Sequence, residues 1–414
     1  MGGRIMASTI NADTSNGVII TPDTSGEIEL QANGVTKAKV TANGLQDANG
    51  NSLRGGMYRN LIINGDMRIA QRGTSESGIT NALSYLLDRF IFSNSNIGTW
   101  TQSQNSDVPS GQEFVKSIKL ECTATDTPTA SETVSVQHRI EAQNLQHLKY
   151  GTSNAEDCTV SFWVKSNKTG TYTFAIYQFD GTAQGISKEY TINSADTWEK
   201  KTIIIEGNTG NGIDNDNGAG LGLYWILSVG SDRYSSPLQT SWGAFNTNAF
   251  ASSSQVNLAD STSNYINITG VQFEIGDVAT LFEHIPFDME LKRCSRYYQK
   301  TFRYSYAPYT ADTENRIYYT AMANDSTTIG NPGARPIYQE GKMRTAPTIT
   351  LYDTSGNSGK LTYTRAGQPA SSNITAVVDQ VGENAFRLST TSASSLTAGQ
   401  AVILLFYYTA DAEL

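Results

Sequence analysis

Apolar residues in this chain fall mostly at every second position, in short runs broken by Gly, Asn, Asp and Ser. That is the pattern of half-buried strands joined by turns. The clearest run is Ile266, Ile268, Val271, Phe273 and Ile275, whose alternation shifts at Thr269-Gly270, where a β-bulge would fit. After Pro286 the period lengthens. Phe287, Leu291, Cys294 and Tyr298 fall on one stripe and predict an amphipathic helix over residues 286–299. Asp288 precedes Lys292 by one helical turn, and Arg293, Arg296 and Lys300 gather towards the C-terminal end, matching the helix dipole.

This helix divides the pattern. Residues 1–56 hold very short apolar segments (Val18-Ile19-Ile20, 27–30, 38–40 and Leu45) separated by Asn33-Gly34, Asn43-Gly44 and Asn49-Gly50. Such strands bury too little to fold alone. They read as an attachment or shaft segment wrapped on symmetry mates, or as a flexible leader. Residues 57–285 read as a β-sandwich opened by Leu61-Ile62-Ile63. Val134, Val136 and His138 share one face, residues 159–164 and 172–177 read as a hairpin across 167–171, and residues 143–150 suggest a short helical turn. Residues 300–414 form a smaller β domain. Phe302, Tyr304 and Tyr306 alternate there, and the nearly all-apolar stretch from Val402 to Phe406 is the expected central strand.

Composition agrees with an all-β chain. Only 17% of the 414 residues are charged, against roughly 25% in typical domains; Ser, Thr, Asn, Gly and Tyr fill the difference. A net charge of −9, with no Lys/Arg cluster, argues against nucleic acid. No apolar run is long enough for membrane insertion as a helix, and the first residues lack a secretory pattern. Cys122, Cys158 and Cys294 have no metal-site spacing and read as buried thiols of a protein made in a reducing cytosol.

The sequence demands no catalysis. It lacks the serine-hydrolase elbow, the zincin motif and the P-loop, and no cofactor or metal is expected. Of the histidines, His138 and His284 read as structural. The Asp214–Gly218 loop resembles a calcium loop but lacks the third ligand and the distal Glu, so an exposed turn is the alternative. The connection over 231–250 is more suggestive. It places Tyr234, Trp242, Phe245 and Phe250 among hydroxyls and amides. Sugars bind through such aromatic faces and polar neighbours. The competing reading is that these rings pin a long loop to the sandwich or to a neighbouring subunit.

Three blocks carry a resemblance. They are NLIINGDMRIAQRG at 60–73, followed by DRF at 88–90; VQFEIGDVAT at 271–280 with FEH at 282–284; and CSRYY at 294–298. They resemble a jelly-roll domain of tailed-bacteriophage fibre proteins. The ending YTADAEL at 408–414 and MRTAPTITLY at 343–352 are similar to such fibres too. The resemblance implies a structural and adhesive component of the virion tail, assembled in the host cytoplasm. Its N-terminus would join other tail proteins, and its outer domains would meet a glycan or protein receptor on the host. The short N-terminal strands and the Tyr-rich stretch at 302–309 suggest a homotrimer. A head or neck fibre without a receptor role is an alternative. So is a polysaccharide-degrading tailspike, although no regular solenoid repeat is visible.

Overall fold

The computed structural model describes residues 27–32, 35–41, 44–47, 59–311, 314–329, 336–393 and 396–414. The segment Val18-Ile19-Ile20 and most of the N-terminal turns lie outside them. The chain separates into one unit of residues 1–59 and 278–281 and a second unit of 60–277 and 282–414.

In the first unit, β1 (Ile28–Ala32), β2 (Val35–Thr41) and β3 (Gly44–Asp47) form an antiparallel meander. Its apolar side chains Leu30, Val35, Val40 and Leu45 are all exposed. What holds it besides the ladder is polar: Lys39 reaches Glu27 at 2.9 Å and Glu29 at 3.2 Å. These are surface pairs of little net stabilisation.

The second unit begins with the sandwich. Its strands are β4 (Ser75–Ser84), β5 (Phe90–Asn105), β6 (Ser117–Ala124), β7 (Thr133–Glu141), β8 (Cys158–Ser166), β9 (Gly170–Gln178), β10 (Gln184–Ile192), β11 (Glu199–Ile205), β12 (Ala219–Val229), β13 (Gly243–Ala244) and β14 (Tyr265–Ile275). All pair antiparallel, in the order β11-β8-β14-β6-β5-β7-β12-β9-β10-β13, with β4 on β5. The long β5 turns the corner. Its first part pairs with β7 and its last part with β6, so one curled sheet makes two layers. The path from β6 through β9 alternates between layers, as in a jelly roll. The expected hairpin therefore does not form. β8 pairs with β11 and β14, while β9 pairs with β10 and β12. Both strands carry an apolar face, and placing them in opposite layers buries Phe162 and Phe174 together around Trp225. The bulge in β14 is present, with a register shift between Thr269 and Gln272 and Gly270 at φ 61. Leu61-Ile62-Ile63 is not a strand. It is a loop laid against β14, with Leu61 N donating to Phe273 O at 2.9 Å and the Asn60 side chain bonding Val271 and Phe273.

The helix α1 spans Phe287–Ser295, shorter than the pattern suggested, because Tyr298 opens β15 (Tyr298–Lys300). The remaining strands are β16 (Ile317–Met322), β17 (Thr328–Ile329), β18 (Thr348–Tyr352), β19 (Lys360–Thr364), β20 (Ser371–Asp379), β21 (Arg387–Ser392) and β22 (Ala401–Asp411). β22 is central, pairing with β15, β16, β18 and β19. Phe302, Tyr304 and Tyr306 form turns rather than a strand. Phe302 stacks on Tyr407 at 4.5 Å, while the Tyr304 hydroxyl accepts from Ala70 N and donates to Arg68 O.

A charged seam ties the sandwich to the C-terminal sheet. The guanidinium of Arg89 meets Glu413 with side chains 1% and 4% exposed. Arg72 reaches Glu413 at 3.3 Å, Asp411 at 3.0 Å and Asp88 at 3.7 Å. Burial would lower both arginines, but the carboxylates, Glu413 foremost, hold them above the ordinary value. Removing one partner of a buried pair leaves a desolvated charge, which costs about 3–5 kcal/mol. Glu413→Ala is therefore expected to lose that much in a denaturant titration at neutral pH, while Lys149→Ala, in an exposed pair with Glu156, changes little.

His138 supplies a pH dependence. It is buried, its Nε2 accepts from Ile63 N at 3.3 Å, and burial followed by Arg89 and Arg293 holds it well below its usual 6.5. The folded state keeps it neutral while the unfolded chain protonates. Its contribution is thus complete above about pH 6.5 and falls below it, at up to ~1.4 kcal/mol per pH unit. His138→Gln, which retains an acceptor for Ile63, should show a shallower loss of stability between neutral and mildly acidic pH in parallel melts.

Candidate binding groove

Alternation along β7 sends Val134 and Val136 into the core and Thr133, Ser135 and Gln137 to the opposite face of the sheet. Neighbouring strands do the same. β12 turns Leu223 and Trp225 inward and leaves Tyr224 outward, and β9 buries Phe174 and Ile176 and presents Tyr177. The outer face of this layer is a cleft of roughly 370 Å³. One wall is polar: Ser93 and Ser95 from β5, and Thr133, Ser135 and Gln137 from β7. The other is aromatic. Phe179, Tyr177, Phe245, Phe250 and Tyr224 follow one another edge to face, with successive centroids 4.7, 4.8, 5.6 and 5.6 Å apart.

The backbone makes room for these rings. Tyr177 is paired with Gly185 on β10 and Gly222 on β12. A Cβ at Gly185 would stand 2.9 Å from the Phe245 ring, and one at Gly222 would stand 3.0 Å from both Phe179 and Tyr224. Gln239 fixes the loop that delivers Phe245. Its Nε2 donates to Gly185 O at 2.9 Å and Gly243 O at 3.1 Å, and its Oε1 accepts from Asn246 N at 3.1 Å. Ser187 Oγ donates to Phe250 O at 3.0 Å, which holds the far end.

Two polar atoms on the facing wall lack partners among the described residues: Gln137 Oε1 and Thr133 Oγ1. Gln137 is 7% exposed and its Nε2 donates to Ser135 Oγ at 3.0 Å, so its amide is oriented. An orphaned buried acceptor costs about 1–3 kcal/mol; both oxygens are closed to water, so a ligand hydroxyl reaches them only after a side-chain rotation. Arg233 closes the lining, with Nε and Nη2 both donating to Ser131 O, at 2.9 and 2.6 Å. Burial lowers its pKa from the usual arginine value, and neighbouring Asp232 pushes it back up. Burial also raises Tyr224, with Arg139 acting the other way. The cleft thus offers flat apolar faces opposite a fixed row of hydroxyls and an amide, the chemistry that suits a saccharide's C–H faces and hydroxyls.

The four aromatic residues singled out in the sequence separate. Phe245 and Phe250 enter the cleft. Tyr234 packs on the cluster of Ala175, Ile226 and Phe250 without joining the lining. Trp242 leaves altogether: its Nε1 donates to Glu206 O at 2.6 Å and its ring meets Tyr150 edge-on at 5.7 Å. Tyr177, Phe179, Tyr224 and Gln137 escaped sequence reasoning. The one available signal was an aromatic on the polar phase of each of β9 and β12. At the 211–218 loop, Asp216 Oδ1 accepts from Gly218 N at 2.8 Å, and Asn217 Nδ2 donates to Arg344 O at 2.7 Å. No group of three potential metal-ligating side chains gathers among the described residues.

No family model and no curated protein matches the chain. Among solved structures, a stretch covering 53% of this chain is similar to the enzymatically active domain of a tailspike protein from bacteriophage CBA120, at 16% identity and a TM-score of 0.28; it spans 22% of that chain. A family 11 carbohydrate-binding module of a Clostridium thermocellum cellulosomal cellulase is similar over 54% of this chain and 97% of its own, at 11% identity and a TM-score of 0.25. A Clostridium thermocellum xylanase fragment solved with xylohexaose is similar over 53% of this chain and 29% of its own, at 11% identity and a TM-score of 0.27. Scores of this size place no ligand, partner or reaction on this chain. The jelly-roll assignment follows from the strand order.

The anchoring of Trp242 has a measurable consequence. Trp242→Ala should lower the melting temperature, at a cost of about 3 kcal/mol or less given its half-buried ring, and should leave ligand affinity at the groove within twofold (~0.4 kcal/mol).

Proposed function

We propose that the chain is a non-enzymatic adhesive component of a tailed-phage virion, a trimeric tail fibre that holds a host-surface glycan in the cleft above β7, β9 and β12. The observation that carries this reading is the five-ring aromatic wall that shares one cleft with the polar row of Ser93, Ser95, Thr133, Ser135 and Gln137. A binding rather than hydrolytic role is supported by the lining itself, which has no carboxylate, whereas glycoside hydrolysis ordinarily uses two flanking the bond.

The virion role rests on the sequence blocks at 60–73, 88–90, 271–284 and 294–298 and on their resemblance to phage fibres. Attachment to other tail proteins is assigned to the N-terminal segment. Its meander exposes Leu30, Val35, Val40 and Leu45, which supports wrapping against two further copies. Three copies would present three clefts, so weak single-site affinity would be multiplied by avidity on a cell surface.

The test uses full-length protein on a glycan array and on host cells. Phe245→Ala and Tyr177→Ala should each weaken binding about five- to 150-fold, the equivalent of ~1–3 kcal/mol per lost stacking face, with the melting curve largely kept. Sedimentation should give a trimer, and antibody against residues 300–414 should decorate particle tails. Unchanged adhesion in both variants would defeat the glycan reading. A stable monomer would defeat the trimer.

A further inference from the structure

Resting on the glycan reading of the cleft, we propose that the saccharide it takes is acidic: a sugar whose ring bears a carboxylate. The protein as a whole has 39 acidic and 30 basic residues, yet the cleft lining contains no Asp or Glu and one guanidinium, that of Arg233.

The state of Arg233 sharpens the point. Several guanidiniums of the sandwich and C-terminal sheet are matched with carboxylates, Arg72 and Arg89 with Glu413, Arg296 with Glu141, Arg387 with Asp379, whereas Arg344 donates to the backbone carbonyls of Asn217, Ala412 and Glu413. Arg233 is matched with no Asp or Glu side chain among the described residues. Both Nε and Nη2 donate to Ser131 O, which fixes the plane of the group, while Nη1 has no acceptor among the described residues. Asp232 beside it is exposed and outside the lining.

A second positive charge lies behind the aromatic wall. The Arg139 guanidinium stands 5.6 Å from the centre of the Phe179 ring. It touches no Asp or Glu side chain among the described residues, but its Nη1 donates to Leu414 O at 2.9 Å, so it adds background positive charge rather than a free binding group. An unmatched cation in a partly desolvated cleft favours an anion over a neutral group of the same shape, and a charge-assisted N–H···O⁻ bond is stronger than a neutral one. The rings would then hold the sugar face, the Ser93 and Ser95 hydroxyls its polar groups, and Arg233 the carboxylate.

The experiment uses the full chain and a panel of bacterial capsular polysaccharides, each in its native acidic form and after reduction of its carboxyls to alcohols. Binding is measured by calorimetry. The expected result is that wild-type protein prefers the acidic member of a pair by tenfold or more and weakens as ionic strength rises. Arg233→Gln should erase that preference, with little further loss when the carboxyl is also reduced, since both changes remove one interaction. Arg233→Lys should restore part of it. Equal binding of acidic and reduced forms, or a preference that survives Arg233→Gln, overturns the acidic-sugar inference and leaves the glycan reading standing. Binding to no polysaccharide, or binding that Phe245→Ala leaves intact, overturns the glycan reading and this inference with it.

Discussion

The pairing of Arg89 with Glu413, buried at the seam between sandwich and C-terminal sheet, is the interaction on which the second unit depends. Arg89 lies over the Tyr297 ring at 3.6 Å, and Arg72 lies over Tyr298 at 3.7 Å. Each planar cation is therefore held between a ring and carboxylates, an arrangement that suits guanidinium geometry. Glu141 extends the seam, accepting from Arg296 Nε at 2.9 Å and from the Tyr297 hydroxyl at 2.7 Å. Asp88-Arg89, Arg296 to Tyr298 and Asp411 to Glu413 belong to blocks separated by up to 300 residues or more. They stand together because each supplies a charge or ring that the others need once water has been excluded.

The cleft inherits its shape from this arrangement. β7 ends in Glu141, and Arg139 just before it donates to Leu414 O at 2.9 Å while facing Phe179. One strand thus supplies core residues inward, groove residues outward and seam residues at its end. The rigidity of the groove floor follows from the packing behind it: Trp225, Phe162 and Phe174 form an edge-to-face cluster directly beneath the layer that carries Tyr224 and Tyr177.

Much of the fold was legible in the sequence and much of the cleft was not. The alternation of Val134, Val136 and His138 located β7, and the nearly all-apolar stretch from Val402 to Phe406 located the central β22. The hairpin expectation for β8 and β9 failed because a short turn and two apolar strands do not say whether the strands pair or face each other across a core. The choice was made by Trp225 and Phe162, which fill the interior only if the layers separate. Phe302 and Tyr304 imitate a strand because they reach different partners, Tyr407 and the Arg68–Ala70 backbone, from consecutive turns. Thr133, Ser135 and Gln137 look in sequence like any solvated strand face. Only the strand order, which lays Tyr177 and Tyr224 beside them, turns that face into a wall. Phe245 and Phe250 could be picked out because a polar loop rarely carries so many rings, but the same rule also caught Trp242, whose indole N–H found a carbonyl elsewhere.

The seam also governs how the chain can be made. Arg89 and Glu413 are 324 positions apart, so during synthesis the sandwich strands leave the ribosome long before the carboxylate that neutralises Arg89. Until the C-terminal residues arrive, the end of the sandwich that carries Arg89 stays uncovered, with its guanidinium in water and the apolar surface around it accessible to the same elements of neighbouring nascent chains. Such non-local closure makes folding slow. It also makes truncated products, which lack the closing residues, the species most prone to aggregate.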